Sequence, residues 1–188
     1  GKLRTTNLIA GDVERADIVF TAHYDTCAAL PIPNLVAPMN MAFTLLYQLL
    51  LSLGMLALVL LAGALAALLH PHLFVFATYA ALLALLALML FGPANRSNAN
   101  DNTSGVCVLV EALLSLPPQG RAAFVFFDHE EVGLLGSSAF RKRHRAAMRE
   151  KPLVNFDCVS DGDALLFVTS ASFRRDAALA SAAQGAIR

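Results

Sequence analysis

Apolar positions along this chain fall into two kinds of run. Short runs of four to six residues occur near both ends, and two much longer ones fill the middle: Met41 to Leu69 and Leu73 to Phe91. The long runs lie inside a stretch from Thr26 to Asn95 without a single Asp, Glu, Lys or Arg. At the helical rise they would measure about 43 Å and about 28 Å, against a hydrocarbon core about 30 Å thick. A helix of a soluble domain keeps a polar face, and neither run has one. His70-Pro71-His72 interrupts them as a tight turn, with both histidines read as turn or interface residues. Small residues recur at helix-packing spacing: Ala62 with Ala66, Gly63 with Ala67, Ala80 with Ala84. The pattern predicts a two-helix transmembrane hairpin over residues 41–92, inserted between residues 1–40 and 93–188.

The short runs predict strands at Asn7–Ala10, Asp17–Ala22, Ala122–Phe127, Leu153–Phe156 and Leu165–Val168. Helical spacing predicts helices over Gly105–Leu116, Leu134–Arg149 and Arg175–Ile187. The alternation indicates an α/β domain with a mostly parallel central sheet flanked by helices. Continuous apolarity in Ala122–Phe127 marks a strand covered on both faces.

Composition adjusts this picture little. The chain is 57% hydrophobic, but the excess belongs to the charge-free insert. Fourteen basic and fourteen acidic residues give a net charge of zero, which argues against a nucleic-acid partner and leaves the lipid bilayer as the expected one. The basic run Arg141–Arg145 reads as a solvated helix face. Three cysteines make no disulfide framework; Cys107 and Cys158 read as small core residues, and Cys27 as packing. No signal peptide precedes the polar first residues, which read as the inside of a domain and thus as part of a longer protein.

A hairpin returns the chain to the side of the membrane it left, so the two halves can still form one site. Arg96 and the other basic residues lie on the domain side, and the turn has no Lys or Arg. This favours a cytoplasmic domain. Asn95-Arg-Ser97 and Asn102-Thr-Ser104 match glycosylation sequons, which are common by chance.

Acids and histidine collect directly after the strands. His23 and Asp25 follow the second strand, Asp128, Glu130 and Glu131 the third, and Asp157 the fourth. Ligands of open α/β sheets bind at these carboxyl ends. Zinc takes His nitrogen and carboxylate oxygen, and a catalytic zinc keeps a position open for water. Of the adjacent pair Glu130-Glu131, one can bind metal while the other acts as general base. In His23-x-Asp25 the carboxylate can fix the aim of a ligating imidazole. Asp101 opens a helix, where it could bridge two metals or cap the helix, with Thr103 and Ser104 as rivals for the cap.

In order, Ala22-His-Tyr-Asp25, Ala99-Asn-Asp-Asn-Thr-Ser-Gly105, Phe127-Asp-His-Glu-Glu-Val-Gly-Leu-Leu-Gly-Ser137 and Asn155-Phe-Asp157 resemble the successive motifs of the zinc exopeptidase family. That family includes the bacterial leucyl aminopeptidases, with the glutaminyl cyclases as relatives. The resemblance spans Thr6 to about Val168 outside the insert. It implies two zinc ions bridged by Asp101, with His23 and Asp157 completing one and Glu131 binding the other. It implies Glu130 as general base and Asp25 as the residue that orients His23. The implied substrate is a peptide with a free N-terminus, usually bearing an apolar first side chain.

Two departures stand out. A membrane hairpin occupies a connection that is much shorter in the family, and the family's last His ligand, from well downstream of Asp157, has no counterpart here. The C-terminal part is thus read as missing, and a single zinc ion becomes an alternative to two. Two other readings are a one-metal acyltransferase of the glutaminyl cyclase type and a membrane scaffold that has lost the chemistry. The retained Asp101, Glu131 and Asp157 suit two metals better.

Overall fold

The computed structural model describes residues 4–29, 40–117, 121–149, 151–160, 166–176, 178 and 181. The chain divides into two compact units: Gly1–Thr26 with Arg96–Arg188, and Cys27–Asn95.

The first unit is a mixed α/β body. Four strands, β1 (Leu8–Ala10), β2 (Ile18–His23), β3 (Ala122–Phe127) and β4 (Leu153–Asn155), form one sheet in the order β1-β3-β2-β4. β2 lies parallel to both β3 and β4, while β1 joins β3 antiparallel. The register sets His23 beside Phe127 and Thr21 beside Asn155. Three parallel strands therefore end together, and the residues just after them share one rim.

The two-residue period of β3 explains its unbroken apolarity. Ala123, Val125 and Phe127 join Val13, Ala16, Val19 and Phe140 in one cluster. Phe124 and Phe126 join Ala22 and Leu109 in another. The α-helix Leu135–Arg143 supplies Phe140, whose ring meets Phe127 edge-on at 5.5 Å. The helix Gly105–Ser115 supplies Leu109, which is fully buried; burial of such a side chain contributes about 1.5–3 kcal/mol. Phe20 stacks on Phe124 at 5.5 Å and extends the second cluster toward Phe156.

Several expected elements differ. The helix expected over Leu134–Arg149 ends at Arg143, where His144 closes it by donating its N–H to Phe140 O. Successive cations at its end suit the helix dipole but repel one another if the helix continues. Leu166, Phe167 and Val168 are exposed and form no strand. A short helix, Ala171–Arg175, follows them, capped by Ser170. Most of the helix expected over Arg175–Ile187 lies outside the described residues, as do Asp161 and Asp163, which the sequence reads as loop residues after the Asp157 strand. Cys107 and Cys158 are exposed, contrary to expectation. On its helix Val106 packs against the core with Leu109, which leaves Cys107 on the outer side.

In the second unit, Met41–Ala67 and Leu73–Phe91 are helices packed against each other. The first stops at Ala67 rather than Leu69. Its final N–H groups bond three residues back, Leu68 to Leu65 at 3.2 Å and Leu69 to Ala66 at 3.0 Å, ahead of Pro71. The helices touch at Gly63, where a Cβ would lie 2.9 Å from Phe74 O and would press on Thr78 Oγ1. Both are long and apolar enough to cross a membrane, and almost none of their length is buried.

Candidate active site

The rim at the strand ends collects all the acids that the sequence singles out. His23 is the last residue of β2 and is 3% exposed. Its Nε2 lies 3.2 Å from Asp101 Oδ1 and 3.7 Å from Asp157 Oδ1. Its Nδ1 lies 3.5 Å from Asp25 Oδ1 but makes no hydrogen bond among the described residues. At that separation Asp25 faces His23 without fixing it.

Asp25 uses its oxygens elsewhere. Oδ1 accepts the backbone N–H of Glu130 at 3.0 Å, and Oδ2 accepts that of Glu131 at 3.1 Å. The loop after β3 is thus bound to the loop after β2. Asp128, at the head of the same loop, accepts the N–H of Thr6 and donates its own N–H to Asn7 Oδ1. His129 holds left-handed backbone, φ 53°, which turns Glu130 and Glu131 back toward His23.

Asp101 lies in an irregular turn, Ala99–Ser104, ahead of the helix Gly105–Ser115. Ser104 holds the N-cap position of the helix without a side-chain capping bond, and Asn102 Oδ1, not Asp101, accepts the Gly105 N–H at 3.1 Å. Asp101 is left free to face His23. Asn102 is 1% exposed and its Nδ2 donates to Phe156 O at 3.0 Å. That nitrogen cannot carry a glycan in this fold, so the sequon there is fortuitous.

The electrostatics follow from crowding. Burial alone would lower the His23 pKa, but the carboxylates of Asp101 and Asp157 facing its Nε2 outweigh this and raise it to about 11. Burial, then the charges of Asp101 and Glu130, raise Glu131 to about 7. Burial also raises Glu130, against the opposing pull of His23. The His23 imidazole facing it keeps Asp157 below the usual carboxylate range. Although Cys158 is exposed as a residue, partial desolvation of its thiol and then the charges of Asp101 and Asp157 push it up to about 12, a poor nucleophile.

These residues fit a divalent cation. One ligand atom each from His23, Asp101 and Asp157 lie within 4.8 Å of one another, and so do one each from His23, Glu130 and Glu131. Glu131 Oε1 is buried without a partner among the described residues, a costly condition that a cation would relieve. An imidazole with carboxylates is a donor set suited to zinc. His129 and His144 belong to neither group among the described residues. His144 instead faces Glu14 at 2.9 Å and leans on the Phe140 ring. Beside the acids a cavity of about 580 Å³ opens onto His23 and Glu130, with Leu134, Phe140, Met148 and Leu153 in its wall.

Sequence reading overlooked Asn102 as a structural residue and the double role of Asp25. The only signal was their place inside the two motifs.

The family model of peptidase family M28 matches residues 84–187. This segment carries Asp101, Glu130, Glu131 and Asp157, and begins after His23 and Asp25. No curated protein and no solved structure matches the chain.

Proposed function

The chain belongs to peptidase family M28, which supports a metal-dependent hydrolase, and from that premise we propose a membrane-anchored zinc aminopeptidase. The observation that carries the reading is the convergence of His23, Asp101 and Asp157 on one point, with Glu130 and Glu131 held opposite. His23, Asp101 and Asp157 would hold one ion, and Glu131 with Asp101 would hold a second. Zinc, when bound, supplies Lewis acidity that polarises a carbonyl and eases loss of a proton from water.

The chain's own residues do the rest. Glu130, with its raised pKa, accepts a proton from the attacking water and returns it to the leaving amine nitrogen. Asp25 aims Glu130 and Glu131 through their backbone. The acids attract the free ammonium of the substrate, and the cavity beside Glu130 offers an apolar wall to its first side chain. The hairpin anchors the domain in the bilayer, and the Lys/Arg distribution favours the cytoplasmic side.

The test uses protein purified from membranes in detergent. We expect it to carry zinc and to cleave peptides with a free, but not an acetylated, N-terminus, and to resist alkaline extraction from membranes. His23 is common to both donor groups, which favours the one-ion alternative enough to assay cyclisation of N-terminal glutamine in parallel. Cyclisation without hydrolysis would replace the peptidase reading. Neither activity in zinc-loaded protein would leave the scaffold reading.

A further inference from the structure

The two acids nearest His23 Nε2 come from segments far apart in sequence. Asp157 follows β4, but Asp101 lies on no strand, so the sheet does not fix the gap between them. Side chains of the turn Ala99–Ser104 do. Asn102 donates to Phe156 O at 3.0 Å and accepts the Cys158 N–H at 3.3 Å. One amide next to Asp101 therefore grips the residues on both sides of Asp157. Ser104 Oγ accepts the Val159 N–H at 3.0 Å while donating to Asn100 O at 2.7 Å. Asn100 Oδ1 accepts from the Ser160 N–H at 3.0 Å and from its hydroxyl at 3.2 Å. Asn102 and Ser104 are both buried, which limits competition from water for their bonds, whereas those of Asn100 to Ser160 are exposed. Cys158 holds left-handed backbone, φ 52°, a conformation that persists only where surroundings impose it. The Asn102 bond to its N–H is one such constraint.

We infer that Asn102 and Ser104 are positioning residues: their buried side chains clip the Asp101 turn to the Asp157 segment and set the spacing at which both acids, with His23, take zinc. The inference rests on the proposed metal reading. It predicts a loss larger than instability alone would give, because outer partners of metal ligands typically cost 10–100-fold in affinity when removed.

The test is a competition titration of the full chain in detergent with zinc alone, against a chelator of known affinity. Asn102→Ala, Ser104→Ala and the core control Leu109→Ala are compared with the unaltered chain, alongside the Tm of each metal-free protein. Leu109 is fully buried on the helix behind the turn, so Leu109→Ala reports what general destabilisation does. The expected result is a 10–100-fold weaker zinc Kd for Asn102→Ala and about tenfold for Ser104→Ala, with Leu109→Ala unchanged at a Tm at least as low. A Kd that follows Tm across all three, or one that neither clip variant moves, overturns the inference. Asn102→Ala strands two N–H groups; should it fail to fold, Ser104→Ala against Leu109→Ala decides in the same way. Zinc-free behaviour of the unaltered chain would instead reject the metal reading itself, and the clip with it.

Discussion

Asp25 Oδ1 accepts the backbone N–H of Glu130 at 3.0 Å, across 105 residues of sequence. Its other oxygen holds the next N–H, that of Glu131. Asp25→Asn would set an amide NH₂ against one of these donors. Losing a hydrogen bond to a charged group costs about 1.5–3 kcal/mol, and the freed loop would let Glu130 drift. We expect kcat/KM to fall roughly 10–100-fold, as for other outer partners of a metal site, with zinc content retained because Asp25 belongs to neither donor group. Zinc analysis beside peptide kinetics checks both halves.

Glu130→Gln separates base from ligand. The substitution keeps the shape and removes the proton acceptor. Turnover should drop by about 10²–10⁴ while zinc content stays whole. Glu131→Gln should behave oppositely and lose metal, since its buried Oε1 has no other partner among the described residues. Full turnover by Glu130→Gln would exclude that residue as the base.

The strand-then-acid order of the chain already placed His23, Asp25, Glu130, Glu131 and Asp157 near strand ends, because a parallel sheet brings such ends together wherever the strands lie in sequence. The packing faces of β3 were legible for the same reason: a two-residue period needs no partner to be read. Pairing was not legible. Leu165–Val168 has the apolar composition of a strand, yet Leu166, Phe167 and Val168 lie exposed; composition supplies strand propensity but not an edge to join. Asn102 stood out in sequence only as part of a sequon and of the Ala99–Gly105 motif, since its partners Phe156 and Cys158 are 54 and 56 residues away. Nor could an alternating pattern show that Asp25 reaches back to two glutamates rather than only to its neighbour His23.

Metal-free protein should lose stability as pH rises. Glu131 titrates at about 7 in the fold against an ordinary 4.5. Between those values the folded state keeps a proton that the unfolded chain has released, so stability falls with rising pH through that window. His23 is raised from 6.5 to about 11. Its contribution is full below 6.5 and is lost as pH climbs to about 11. Asp157, shifted downward, contributes above its ordinary value and loses that contribution as pH falls below it. Zinc reverses the trend, because its ligands bind in deprotonated form. We therefore expect Tm in a chelator to decline from about pH 5 to pH 8, and the gain in Tm on adding zinc to grow over the same range. A chelator-treated Tm that rises over that range would contradict the assignment of these shifts.

Gly105→Ala tests how closely the two site segments must approach. Gly105 is the first residue of its helix, where helix propensity alone would favour alanine by about 1 kcal/mol. The surroundings oppose this. A Cβ there would lie 2.5 Å from Phe156 O and closer still to Asn102 Oδ1. Neither can yield freely: Phe156 O is backbone that accepts from Asn102, and Asn102 Oδ1 is bound to two N–H groups. Overpacking of this kind costs about 1–3 kcal/mol, which outweighs the propensity gain. The relief available is a shift of the Asp101 turn away from the Asp157 segment. Gly105→Ala should therefore lower the Tm of metal-free protein and weaken zinc binding together. Denaturant unfolding and zinc titration of the same preparation measure the two. A more stable Gly105→Ala protein with unaltered zinc affinity would mean that the segments are not held at the contact distance seen here.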